Sequence, residues 1–178
     1  MGTGGLFLRK LRAQVSEEPT GFVWVEQGKL AASGYPASRG QLQWIARQGI
    51  NSILTLTPQE LAPEDTGGLG LTIHHLPMKD HGIPEMEALS EGADYIDHEL
   101  SKGKKVLVHC LAGEGRTGCV LASYLIKFED LSAPDALAKI RMAKPEFVEW
   151  NQEKGLYQFE SLVRGFSEKR TMSGPPEG

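Results

Sequence analysis

Apolar and polar positions along this chain follow two alternating patterns. Short apolar runs at Phe22-Val-Trp-Val25, Lys29-Leu-Ala-Ala32, Ser52-Ile-Leu-Thr-Leu-Thr57, Leu71-Thr-Ile-His-His-Leu76 and Lys105-Val-Leu-Val-His109 read as strands. The first two flank Gln27-Gly28, a hairpin-like turn, and the run at 52–57 is of the kind buried on both faces. Elsewhere apolar residues recur at helical spacing. Ser38 caps a helix toward Gln48 with Leu42, Trp44 and Ile45 as apolar positions, and Gly49 stops it. Met86, Leu89, Ala93, Ile96 and Leu100 line a helix from Glu85 to about Leu100. Val120, Leu121, Tyr124 and Leu125 line another from Arg116 to Phe128. Ser132 caps a third, with Pro134 in its first turn and Leu137 and Ile140 inward. Lys144-Pro145 breaks it, and Asn151 to about Phe166 forms the last helix. Residues 58–70 and 77–84 are loops.

Strands alternating with helices predict a single α/β domain whose central, mostly parallel sheet of about four to five strands is flanked by helices. The domain is expected over 21–166, with an N-terminal appendage over 1–20 and a disordered tail over 167–178. Within the appendage, Leu6 to Arg12 is weakly basic and amphipathic. It lacks the long apolar core of a signal peptide and reads as a surface helix packing on the domain. The 178 residues suffice for a core without staples. Nineteen Lys plus Arg against 23 Asp plus Glu leave a net charge of −4, so there is no global basic field and nucleic acid is not an expected partner. No apolar run approaches the ~18 residues of a membrane span, and no membrane partner is expected. The chain has 2 cysteines, Cys110 in a loop and Cys119 on a helix, which is no disulfide framework. A reducing, cytoplasmic setting and a monomer are the expectation.

The chemistry concentrates in Val106-Leu-Val-His-Cys-Leu-Ala-Gly-Glu-Gly-Arg-Thr-Gly118. A strand delivers Cys110 into a glycine-bearing loop that ends in Arg116 and Thr117, where a helix begins. In open parallel sheets ligands bind at the carboxyl ends of strands, and Cys110 lies at such an end. Loop amides, a helix N-terminus and a nearby arginine favour a thiolate. The same donors suit a phosphate dianion and the charge that develops when it is transferred. Leu111, Ala112, Gly113, Glu114 and Gly115 supply the backbone, and the two loop glycines let amides turn inward without a Cβ clash. Arg116 suits bidentate contact with two phosphate oxygens. Thr117 can donate its hydroxyl to the Cys110 sulfur, and His109 hydrogen-bonds backbone and holds the cysteine in place. The loop has no Gly-Lys-Ser/Thr ending and is not a nucleotide P-loop. Cys119, on the helix, reads as core.

His109-Cys-x5-Arg-Thr117 is the signature of the protein tyrosine phosphatase superfamily, and the chain resembles it. Phe22-Val-Trp-Val, Gly28-Lys-Leu-Ala, Gly49 to Thr57 and Gln152 to Phe159 narrow the resemblance to the small atypical dual-specificity phosphatases, the VHZ-like group and archaeal relatives of similar size. It covers roughly residues 21–165. It implies a phosphomonoester hydrolase that works through a phosphocysteine, without metal or cofactor. The implied substrates are a phosphorylated protein, bearing phosphotyrosine or phosphoserine/threonine, or a small phosphate ester. It places a general acid in the loop upstream of the signature, here Asp80, and a glutamine near the water path, here Gln152. An exposed residue opening the last helix is the other reading of Gln152. Glu114 departs from the family pattern; an acid at the mouth raises the cost of highly anionic ligands, and a side chain that points to solvent and does nothing is the other reading. A rhodanese-type sulfurtransferase would lack the Arg-Thr-Gly ending. A non-catalytic phosphate-binding module would be expected to have lost Cys110, Arg116 or Asp80. A phosphoinositide or RNA 5′-phosphate phosphatase keeps the chemistry and changes the substrate.

Overall fold

A computed structural model describes residues 16–172. The amphipathic segment Leu6 to Arg12 lies outside those residues. The elements run β1 (Val23–Glu26), β2 (Leu30–Ser33), α1 (Arg39–Arg47), β3 (Ser52–Thr55), α2 (Pro63–Thr66), β4 (Thr72–His75), α3 (Met86–Ser101), β5 (Val106–His109), α4 (Gly115–Phe128), α5 (Ala133–Ala143) and α6 (Trp150–Met172). The sheet has 5 strands in the order β1-β2-β5-β3-β4. Only the β1–β2 hairpin is antiparallel; β2–β5, β5–β3 and β3–β4 are parallel. This is the α/β architecture the pattern predicts.

The period of two decides the layers. Leu30, Ala32, Leu54, Val106 and Val108 pack against Leu89, Ala93 and Ile96 of α3, Val120 and Leu121 of α4, Ile140 of α5 and Phe159 of α6. The intervening Ala31, Ile53 and Leu107 meet Leu42 and Ile45 of α1 on the other face. The central strands are therefore buried on both sides, as their unbroken apolar runs require.

The predicted caps form. Ser38 accepts from the Gln41 amide, and Ser132 from the Asp135 amide. Two segments differ from expectation. Loop 58–70 contains the short helix α2, which Pro63 starts in its first turn. The last helix runs on to Met172, so part of the expected tail is helical. Among the described residues no helix is long and apolar enough to cross a membrane.

Parallel pairing sets the strand ends side by side. The Leu56 amide donates to His109 O at 2.9 Å, and the Met78 amide to Leu56 O at 3.2 Å. The segments that leave β3, β4 and β5 are thus hydrogen-bonded into one floor, and Cys110 follows His109 directly.

Candidate active site

β5 is buried at every position and ends at His109, whose ring is also fully buried. Its Nδ1 faces Cys110 O at 3.3 Å and its Nε2 faces Thr55 Oγ1 at 3.0 Å. A carbonyl can only accept, so Nδ1 carries the proton and Nε2 accepts from the threonine hydroxyl. Burial, helped by the positive Arg116, pushes the imidazole pKa down to about 4 against the backbone bond that raises it. The neutral ring therefore ties β5 to β3 beneath the cysteine.

Cys110 is buried, and its Sγ accepts from the Gly113 amide at 3.2 Å. The loop can bend this tightly because of Gly113. Its φ is +73°, and a Cβ there would lie 2.3 Å from Ser33 O and 2.6 Å from Gly34 N. The segment after β2 packs directly behind the loop, with the Tyr35 amide donating to Leu111 O at 3.1 Å. Helix α4 then opens at Gly115. Glu114 is its N-cap residue, and that side chain makes no capping bond, so the first-turn amides are left for another acceptor.

Arg116 is 3% exposed. Its Nη1 donates to Leu56 O at 3.4 Å and Met78 O at 3.3 Å, which anchors the guanidinium to the floor. Its Nη2 lies 3.1 Å from Asp80 Oδ2. Asp80 belongs to the loop between β4 and α3, and its carboxylate is half-exposed above the cysteine loop. His81, next in line with φ +57°, is exposed between Asp80 at 3.7 Å and Glu149 at 3.6 Å. Ile83 of the same loop rests on α6 where Gly155 leaves room; a Cβ there would lie 2.8 Å from Ile83 Cγ2.

One expected bond is absent, and one of the two readings of a second side chain falls away. Thr117 Oγ1 is buried and makes no hydrogen bond, so the expected bond to the Cys110 sulfur is not formed; the sulfur's donor is the Gly113 amide. Gln152 is not the exposed opening of the last helix. It is 1% exposed and packs against Gly115, whose Cβ would lie 2.7 Å from its Oε1. That Oε1 accepts from the Glu149 amide at 3.1 Å and from the Cys119 thiol at 3.7 Å. Burial pushes the Cys119 thiol up to about 12, with the nearby Cys110 and Glu149 adding to the rise, so it stays protonated.

Among the described residues, the buried side-chain polar atoms without a hydrogen-bond partner are Arg116 Nε, Thr117 Oγ1 and Gln152 Nε2. Arg116 and Thr117 belong to the first turn of α4, and Gln152 packs against Gly115 in that turn. Buried polar groups are rarely left unpaired, and such an exception needs a reason. An oxyanion on the loop would give the Arg116 Nε an acceptor.

Sequence reasoning missed three groups that shape the site. Ser33 and Gly34 form the wall behind Gly113. Arg141 donates to Phe147 O at 3.1 Å and Val148 O at 3.0 Å, which fixes the connector leading to Gln152. Lys144 read only as a helix break, yet its Nζ donates to Gly113 O at 2.9 Å.

The family model described as "Polymorphic toxin system, DSP-PTPase phosphatase" matches residues 28–130, more than half of the chain, and the chain belongs to that family. It is similar to Tyrosine-protein phosphatase CDC14 of Candida albicans, with 30% identity over 107 residues, 59% of this chain and 20% of that protein. Phosphatidylglycerophosphate phosphatase PTPMT1 of Arabidopsis thaliana is 28% identical over 120 residues, 65% of this chain and 35% of that protein. The chain thus spans about a third or less of these curated relatives. Among solved structures, Tk-PTP in the active form superposes with a TM-score of 0.71 at 28% identity, covering 79% of this chain and 96% of that one.

Proposed function

We propose that the chain is a cysteine-dependent phosphomonoesterase of the protein tyrosine and dual-specificity type, acting in the cytoplasm on phosphorylated protein. The observation that carries this reading is the convergence on one loop of the Cys110 sulfur, the Gly113 amide, the Arg116 fork and the Asp80 carboxylate. The Cys110 thiolate attacks phosphorus and the bond to the leaving oxygen breaks. Arg116 and the first-turn amides of α4 hold the equatorial oxygens, where charge accumulates. With phosphate on its fork, Arg116 releases Asp80, which protonates the departing oxygen. A positioned acid of this kind contributes ~10²–10⁴-fold. In the second step the Asp80 carboxylate takes a proton from water as the water attacks phosphorus. The S–P bond then breaks and returns the thiolate. In this reading Gln152 Nε2, buried beside Gly115 without a protein partner, orients that water.

The test is steady-state turnover of p-nitrophenyl phosphate, phosphotyrosine and phosphothreonine peptides. Cys110→Ser is expected to abolish turnover while keeping tungstate binding. Asp80→Asn is expected to slow it ~10²-fold or more. EDTA is expected to change nothing. Turnover that survives Cys110→Ser would sink the mechanism.

The similarity to a phosphatidylglycerophosphate phosphatase supports a second reading, a lipid phosphate substrate. Glu114 separates the two. Its carboxylate lies on the loop itself and raises the cost of a polyanionic headgroup. Glu114→Lys is expected to raise phosphoinositide turnover relative to aryl phosphate several-fold; an unchanged ratio would remove Glu114 from the account of specificity.

A further inference from the structure

We infer that Lys144 is a positioning residue for the phosphate loop, holding the Gly113–Glu114 peptide in its anion-binding orientation. Lys144 follows the last residue of α5, far from the loop in sequence. Its side chain is 12% exposed, a deep setting for a lysine. Its Nζ lies 5.7 Å from the centre of the Phe147 ring and 3.2 Å from where a Cβ would stand on Gly21. It donates to Gly113 O at 2.9 Å and lies 3.4 Å from Glu114 Oε1. Both contacts are to the loop, and one is to its backbone.

The consequence follows from peptide geometry. In a trans peptide the C=O and the N–H point opposite ways. Drawing Gly113 O outward onto Lys144 therefore turns the Glu114 amide toward the side where Gly113 N–H already meets Cys110 Sγ. Gly113 is the loop's freest joint, since glycine tolerates either sign of φ. Without the lysine this peptide can rotate and present a carbonyl oxygen to the phosphate, replacing an attraction with a repulsion. The Glu114 contact adds to the hold. It keeps the carboxylate on the lysine side.

This inference rests on the phosphomonoesterase reading, and the experiment separates the two. Wild type, Lys144→Met and Lys144→Arg are compared in p-nitrophenyl phosphate turnover and in competitive inhibition by tungstate, below the melting temperature of each variant. Lys144→Met is expected to lower kcat/KM and weaken tungstate binding by about tenfold each, the scale of one lost charged hydrogen bond. Lys144→Arg, which keeps the charge and the donors, is expected to recover most of both. If Lys144→Met does not fold, Lys144→Gln is measured in its place. Wild-type tungstate affinity in the neutral variant, or an arginine variant as weak as the methionine one, overturns the role of Lys144 and leaves the phosphatase reading intact. A wild-type protein that neither turns over the aryl phosphate nor binds tungstate overturns both.

Discussion

At Gly113 two demands meet in one residue. The backbone must turn at φ +73°, and it must do so against Ser33 and Gly34, main-chain atoms that cannot swing aside as a side chain would. Gly68 provides the comparison: its φ is +74° with nothing within 4 Å of a Cβ. Gly68→Ala is therefore expected to cost only left-handed strain, about 1–2 kcal/mol. Gly113→Ala must add a backbone shift and is expected to cost clearly more, with loss of most turnover because the Gly113 amide leaves the sulfur. Urea unfolding of the two variants gives the difference. Equal destabilisation would mean that Ser33 yields and that the close approach does not constrain the loop.

Between elements, α3 meets α4 closely at a glycine. A Cβ on Gly92 would lie 2.8 Å from Val120 Cγ1 and 3.3 Å from its Cγ2. Alanine in a helix interior gains about 0.5–1 kcal/mol over glycine. Overpacking against a β-branched side chain with one favoured rotamer costs about 1–3 kcal/mol. The clash outweighs the propensity, so Gly92→Ala is expected to lower stability by about 1–2 kcal/mol. Gly92→Ala with Val120→Ala should lose less than the sum of the two singles, since the second change empties the space the first needs; additive losses in a double-mutant cycle would deny the contact. The existence of α3 and α4 was legible from apolar spacing, as were every strand and the caps at Ser38 and Ser132. Cys110, Arg116 and their order along the loop were legible too, because strand, loop and helix are contiguous in the chain. The burial of Gln152, the idle Thr117 hydroxyl, the wall at Ser33 and the reach of Lys144 were not. Each depends on which distant segments the fold stacks behind the loop, and local pattern carries no record of that. The helix at Pro63–Thr66 is too short for periodicity to register.

Across the whole molecule, the paired strands β3 and β5 meet a titrating group at each end, His109 of β5 itself and Glu99 of α3. At the site end the buried His109 has its pKa pushed down to about 4 by burial. At the far end Glu99, beside Ser52, is opposed by its own desolvation. Hydrogen bonds from Lys104, Lys102 and Ser52 nevertheless hold its carboxyl at about 2. The two act over different ranges. The unfolded chain protonates His109 below about 6.5 while the fold keeps it neutral, so stability is complete above that value. It is lost as pH falls toward about 4, where the folded state takes up the proton as well. The Glu99 contribution is intact above about 4.5 and disappears only as pH falls toward about 2. The His109 step amounts to about 3 kcal/mol in all, of which about 1 kcal/mol is gone by roughly pH 5.5. Urea unfolding of wild type and His109→Gln from roughly pH 8 to 4.5 tests this. The wild type is expected to weaken along that range, and the variant, less stable at neutral pH, to follow a flatter curve. Parallel curves would show that His109 does not couple stability to protons, and the tie it makes between Thr55 and Cys110 would then have to survive its own protonation.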